Sequence, residues 1–586
     1  MHRGICRDSI TSCIPCVMIM ISMWCGVFAH PAKFPCEFRS TNGYGNNEKE
    51  PWLGTPHSYL MRLTEPAYTD GKGEPSGENR PNPREISNTV HAQGDSSIPN
   101  HQRISDIFWT WGQFIDHDLG LSPFSEEHFD IPVPAGDPVF DPYGTGNSVL
   151  PFVRSEHAVS WNGVRQQINE ITSFMDASQV YGSDYERAMA LRTLDGTGML
   201  KTSAGNLLPF NKPGLPNDGG TSESLFLAGD VRANENVALT SMHTIFVREH
   251  NLWCRLLAHA DDGLTGDQIY HLAKAIVGAE IQSVTYNEFL PLLLGARAIP
   301  PYKGYRLHMD PEMCTEFTTA AFRFGHSMLS PSLQRLDSKG KPLSGGSLSL
   351  EDAFLNPDEL VTNGIEPIMR GALKQVAQKV DVFIVDGVRN FLFVTNGKGG
   401  TDLAAINIQR GRDHGLKNYN QVRKNLGLGT VNTVYEISSD PEVCARLSKQ
   451  FGSPDEIDLW TGGLAEDMVA GALLGPTFRF ILAHQFTRTR DGDRFWYQTY
   501  LPGFMVWFIE RRSLADIIRH NTDIGLEETG WSAFVVCPDI TKKGDNFASD
   551  NYRGLQPDQS FDHRLMDAEC AAAAEEFVRF FYEQAP

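Results

Sequence analysis

Positive charge is scarce in this 586-residue chain: 51 Lys and Arg stand against 72 Asp and Glu, a formal net charge of -21. That balance excludes nucleic acid or an anionic membrane surface as the natural partner. A metal-binding His-Glu-x-x-His is absent, which argues against a zinc site carried on one helix. No repeat of roughly 20 to 50 residues recurs, which excludes solenoids and propellers. Past residue 29 no apolar run is long enough to span a bilayer. Strand-like alternation is rare. No Asn-x-Ser/Thr sequon occurs, so glycosylation gives no support for export.

What is present is an ordinary globular composition, 41% hydrophobic and 10% aromatic, enough for a large core. At the start, Arg3 and Arg7 precede an uncharged run from Ser9 to Ala29 that ends in Val27-Phe-Ala29. This pattern predicts a secretory signal peptide over residues 1–29, with a single membrane anchor as the alternative. Cys6, Cys13, Cys16 and Cys25 would leave with it. The six others are Cys36, Cys254, Cys314, Cys444, Cys537 and Cys570, with no close CxxC spacing among them, so a structural zinc site is not expected. An even count in an exported chain predicts disulfides, although six cysteines allow 15 pairings; Cys537 with Cys570 is the pairing suggested by their shared C-terminal position.

Residues 30–100 are rich in Pro, Gly, Asn and Ser and read as an extended arm on a catalytic domain spanning 101–586. The centre of the chain's chemistry is Trp109-Thr-Trp-Gly-Gln-Phe-Ile-Asp-His-Asp-Leu-Gly120. On a helix, Gln113, Asp116 and His117 share one face and Asp118 points to another. In Thr172-Ser-Phe-Met-Asp-Ala-Ser178, positions 172, 174, 176 and 178 alternate along a loop. Two hydroxyls, the Phe174 carbonyl and the Asp176 carboxylate form an all-oxygen set suited to calcium, with Asp118 available as a further ligand. Further pairs three residues apart follow: Arg232 and Glu235, Arg323 and His326, Asn407 and Arg410. The amphipathic stretches predict a mainly α, single large domain with little β structure.

Five motifs now stand in order: Trp111-Gly-Gln-Phe-Ile-Asp-His-Asp118, Thr172 to Ser178, Gly229-Asp-Val-Arg232 with Glu235, Ala321-Phe-Arg-Phe-Gly-His326, and Asn407-Ile-Gln-Arg-Gly-Arg-Asp-His414. Together they resemble the animal haem peroxidases, from about residue 35 to near Cys570, and most closely the peroxinectin-like and peroxidasin-like members. The resemblance implies a secreted enzyme that reduces hydrogen peroxide and oxidises halide, pseudohalide or phenolic donors through a ferryl porphyrin radical. It assigns His117 as distal acid–base, Arg232 as the cation that stabilises charge as the O–O bond breaks, and Gln113 as a pocket-lining amide. It makes His326 the iron ligand, with Asn407 accepting its ring N–H, and Arg323 and Arg410 partners of haem propionate or nearby carboxylates. Asp116 and Glu235 match carboxylates that form ester links to haem b, and Asp118, Thr172, Phe174, Asp176 and Ser178 match a calcium site.

Two departures bear on chemistry. Residue 236 is Asn where myeloperoxidase has the methionine of a sulfonium link to haem, so that link and strong chloride oxidation are not expected. Residue 323 is Arg where cyclooxygenases carry a radical tyrosine, which argues against lipid oxygenation. Two other classes stay in view. Lys543-Gly544-Asp545 resembles an integrin-binding tripeptide, which an adhesion protein of the same fold would use. The pairs His117-Asp118 and Asp413-His414 are the support for a haem-free metal hydrolase.

Overall fold

A computed structural model describes residues 37–94, 96–392, 400–536 and the helix His563–Gln584. The proposed leader, Cys36, Cys537 and Lys543-Gly544-Asp545 lie outside the described residues.

The site is organised around helix α1, Asp106–Leu119. Asp106 in its first turn suits the helix dipole, and the chain turns extended at Gly120, whose N–H still reaches the Asp116 carbonyl. Ile107, Phe108, Trp111, Phe114, Ile115 and Leu119 are fully buried. Their rings interlock with neighbours: Phe114 stacks on Phe246 at 5.1 Å, and Phe108 meets Phe289 at 4.5 Å.

Helix α2, Val237–Ala260, packs against α1. Asn236 caps it by accepting the Leu239 N–H at 2.9 Å. Helix α3, Gly266–Val284, starts from a Thr265–Gln268 capping box and packs along α2. A 3-10 segment, Ala321–Met328, carries His326 and packs on α1. Helix α4, Leu403–Asp413, carries Asn407 and Arg410, and its N-cap Asp402 accepts from Ala405 N–H at 3.0 Å. Helix α5, Pro476–Asp491, lies beside the His326 segment, and α6, His563–Gln584, lies on α2.

The sheets are small. The largest has three antiparallel strands, in order Ser58–Tyr59, Arg165–Asn169 and His157–Val159, with Ser58 opposite Asn169 and His157 opposite Gln167. Two-stranded pieces make up the others. The expectation of a mainly α chain around one core is met: a contiguous apolar cluster runs from Leu60 to Val578, and a satellite forms around Ile131, Val133, Leu150 and Phe152.

Residues between 37 and 94 contribute to that structure with charges as well as turns. Arg84 is fully buried and bonds Asp137 and Asp402, each at 2.7 Å. Glu316 accepts from Leu63 N–H at 3.0 Å and Thr64 N–H at 2.9 Å. Among the described residues, Cys254, Cys314, Cys444 and Cys570 are buried and none is bonded to another. Cys444, for example, donates to the Ser438 carbonyl at 3.1 Å. No helix of the described residues is long and apolar enough to cross a membrane.

Candidate active site

Along α1 the burial breaks on one stripe. Gly112, Gln113 and Asp116 are partly accessible between fully buried neighbours. The Asp116 side chain is 37% accessible, yet burial pushes its carboxyl up to about 6 against the pull of Arg232 and Arg323. A group that is both reachable and surrounded by protein lines a recess. Glu235 behaves alike: 19% accessible, and raised to about 8 by burial and then by Asp218. Opposite, Arg323, Gly325 and His326 are also partly accessible, and a methyl group built on Gly325 meets nothing within 4 Å. Asp116 and Arg323 are near enough for each to act on the other's charge, and the segment that carries Arg323 and His326 packs on α1.

On the α1 side His117 is buried. Its Nδ1 lies 3.5 Å from Asp230 Oδ1, an electrostatic contact too long for a full hydrogen bond, and its Nε2 lies 4.0 Å from Glu235 Oε2. Burial and then Arg232 hold its pKa well below the usual imidazole value, so the ring is a neutral base. Asp230 was not foreseen from sequence, where it reads as a loop residue two places before Arg232. Its carboxylate accepts from Arg232 Nε at 2.9 Å and Nη2 at 2.8 Å. Burial alone would raise Asp230; the charge and hydrogen bonds of Arg232 hold it well below the carboxylate range. Arg232 also donates to the Gly120 carbonyl at 3.0 Å and stands 3.8 Å from Asp116. Its guanidinium is thus fixed on two sides.

The amide of Gln113 is fixed as well. Its nitrogen donates to Glu235 Oε2 at 2.6 Å, and its oxygen accepts from Asn236 Nδ2 at 2.9 Å. Asn236, which caps α2, therefore also orients the pocket amide.

The loop holding Arg232 rests on the Thr172–Ser178 segment through Gly229. A methyl there would sit 2.2 Å from the Ser178 carbonyl oxygen and 2.6 Å from Tyr181 N, both backbone. Gly229→Ala is expected to destabilise the protein by about 1–3 kcal/mol and to displace Arg232. Denaturant midpoints check this; wild-type stability would contradict it.

On the opposite side His326 Nδ1 is 2.8 Å from Asn407, which leaves Nε2 without a protein partner among the described residues. The sequence reading has the Asn407 oxygen accepting the ring N–H. In the structure the amide nitrogen faces Nδ1, because Arg323 Nη1 donates to the oxygen at 3.1 Å. Burial and Arg323 lower His326 to about 3, so it too is neutral. Among the described residues Arg323 has no carboxylate partner within ion-pair distance; burial, then Arg410, lowers it to about 10. Arg410 is committed elsewhere: it pairs with Asp413 at 3.0 Å and lies 4.1 Å above the Phe152 ring.

Four of the five oxygen-bearing residues are joined by hydrogen bonds. Asp118 Oδ1 accepts from Ser178 N–H at 2.6 Å and Ser178 Oγ at 2.8 Å, and Asp176 Oδ1 accepts from Thr172 Oγ1 at 3.1 Å. Phe174 is wholly buried between them in sequence. Burial raises both carboxyls, and Asp176 raises Asp118 further. Asp176 Oδ2 is buried with no hydrogen-bond partner among the described residues. Asp413 and His414, by contrast, are occupied: Asp413 by Arg154 and Arg410, His414 by Thr319 and Ser155 at 2.8 Å each. Among the described residues no three His, Cys, Asp or Glu side chains converge as metal ligands.

Comparison with known proteins agrees with this geometry. Residues 38–532 match the family described as Animal haem peroxidase. The chain is 36% identical to Peroxinectin A of Dictyostelium discoideum over 83% of its own length and 93% of that protein. It is 36% identical to human eosinophil peroxidase, covering 75% of it, and 35% identical to thyroid peroxidase of Sus scrofa, of which it spans 60%. Among solved structures, Peroxidase A from Dictyostelium discoideum superposes with a TM-score of 0.78 at 34% identity, covering 86% of this chain and 99% of that one. Fatty acid alpha-dioxygenase of Oryza sativa, at 21% identity and a TM-score of 0.73, shares the fold alone. This chain belongs to the animal haem peroxidases and is a peroxide-dependent oxidoreductase.

Proposed function

We propose that this peroxidase is exported and uses hydrogen peroxide to oxidise small donors: bromide, iodide, thiocyanate or phenols. The observation that carries the reading is the neutral, buried His117 beside an Arg232 locked by Asp230, on a helix against which the segment bearing His326 packs.

The residues fit a haem group. Among the described residues His326 Nε2 has no protein partner, and Arg323 is a partly accessible cation that makes no ion pair, as a propionate partner requires. If Arg323 turns to a propionate, the Asn407 oxygen is released to accept an Nδ1–H, the tautomer that metal binding at Nε2 demands. Bound haem supplies the redox chemistry, taking up the oxidising equivalents of peroxide and passing them to the donor. His117 Nε2 takes the peroxide proton and returns it to the departing oxygen. Arg232 stabilises the charge that develops there; because Asp230 already holds it, no reorganisation is needed at that moment. Gln113 presents an oriented amide to a small donor. Asp118, Thr172, the Phe174 carbonyl, Asp176 and Ser178 would hold calcium, which neutralises two buried carboxylates and fixes the end of α1 beside His117.

Parallel peroxide assays with the four donors test the reading; no peroxide-dependent oxidation of any by haem-loaded protein would refute it. The ester links have their own test. Wild-type haem should resist extraction into acidified organic solvent, while haem from an Asp116→Val, Glu235→Gln variant should extract; full release from wild type would contradict the links. Export is supported by the Ser9–Ala29 run, and N-terminal sequencing of secreted protein should begin after Ala29. An integrin or matrix partner rests on Lys543-Gly544-Asp545, and cell attachment unchanged by Asp545→Ala would remove it.

A further inference from the structure

Behind the oxygen-rich loop lies a small recess that the peroxidase chemistry does not use. Its walls include Arg39, Asp176, Lys274, Gln282 and the stacked rings of Phe38 and His271. It has room for about two water-sized species.

Two cations meet there without enough partners. Arg39 gives Nη2 to Asp493 at 2.7 Å, but its Nη1 is buried with no hydrogen bond among the described residues. Lys274 is 7% exposed and makes no hydrogen bond or ion pair among the described residues; its recorded contact is the Tyr181 ring, 5.0 Å from Nζ. The neutral groups nearby are taken. Gln282 donates to the Met175 carbonyl at 2.8 Å and accepts from Tyr497 N–H at 2.9 Å.

The charge count then depends on calcium. Asp493 balances Arg39. With no divalent ion, the Asp176 carboxylate faces both Arg39 and Lys274 across the recess and is the acidic group acting most strongly on Lys274. A calcium ion held by Asp118 and Asp176 takes up both carboxylates, and Lys274 is left as a buried ammonium with no counter-charge, which a dry interior penalises heavily. We propose that the recess binds one small monovalent anion, by size a halide ion, between Lys274 Nζ and Arg39 Nη1 when calcium occupies the Asp118–Asp176 loop. The inference rests on the calcium reading given above. By linkage each ion tightens the binding of the other. The anion would also tie α3 and the segment carrying Arg39 to the loop that abuts α1.

The test uses the purified holoenzyme with calcium and bromide as probes. Calcium affinity is measured by chelator competition at constant ionic strength, in sodium bromide and in sodium methanesulfonate, whose anion is too bulky for the recess. Wild type should bind calcium about tenfold more tightly in bromide, and Lys274→Met should lose that dependence while still binding calcium. Because removing a buried charge can disturb folding, bromine-edge anomalous diffraction on wild-type crystals containing calcium gives an independent reading. A peak between Lys274 and Arg39, lost on chelation, is expected. Equal calcium affinity in both salts with no peak overturns the anion site and leaves the calcium reading standing. A peak seen only at molar bromide, with no halide effect on calcium, is an adventitious ion only and also overturns it. Failure to bind calcium in either salt overturns the calcium reading itself.

Discussion

Replacing His117 with alanine will lower kcat/KM for hydrogen peroxide by about 10²- to 10⁴-fold and leave haem content almost unchanged. The two halves of that result separate the roles of the two sides of the recess. His117 touches no group that holds the fold: its nearest partner, Asp230, keeps both of its bonds to Arg232 when the ring is gone. His326, on the far side, is untouched and still offers Nε2 to iron. Transient kinetics of the reaction with peroxide and the Soret band report the two effects separately. A rate within about threefold of wild type would remove His117 from the acid–base role, since a positioned base contributes far more than that.

Arg84→Met carries the largest expected loss of stability, about 3–5 kcal/mol. Arg84 is wholly buried and grips Asp137 through Nε and Nη2, at 2.7 and 3.1 Å, and Asp402 through Nη1 at 2.7 Å. Burial would lower its pKa, but the two carboxylates hold it raised. A methionine fills similar volume but leaves two buried carboxylates short of their cation. Asp402 is also the N-cap of α4, so the damage reaches the helix that bears Asn407 and Arg410. Denaturant unfolding with an unchanged slope measures the loss. A shift below about 1 kcal/mol would show that Asp137 and Asp402 are satisfied without Arg84, contrary to the geometry.

The helical elements and the division of labour on α1 were legible because they depend on local spacing. Asp116, His117 and Asp118 differ in facing by simple helical rotation, and the structure turns the first two to the recess and the third to the Ser178 loop. The 172–178 alternation was readable for the same reason. Contacts set by packing were not. Asp230 looks like any loop acid until the chain brings it to His117. The Asn407 amide orientation depends on where Arg323 lies, and that is fixed by its bond to the Thr318 carbonyl at 2.9 Å. Arg84 stood in a Pro- and Gly-rich stretch where charges usually face water, and its two acids come from distant segments. Cysteine parity suggested disulfides; the four described cysteines are buried and not bonded to one another, and Cys36 and Cys537, and with Cys537 its suggested pairing with Cys570, lie outside the described residues.

Iron-edge anomalous diffraction on crystals of the haem-loaded protein tests the central claim most directly. The account predicts a single iron peak within bonding distance of His326 Nε2, with His117 on the other side of the porphyrin. Iron bound through any other side chain, or a porphyrin that leaves both imidazoles on the same side, would contradict it.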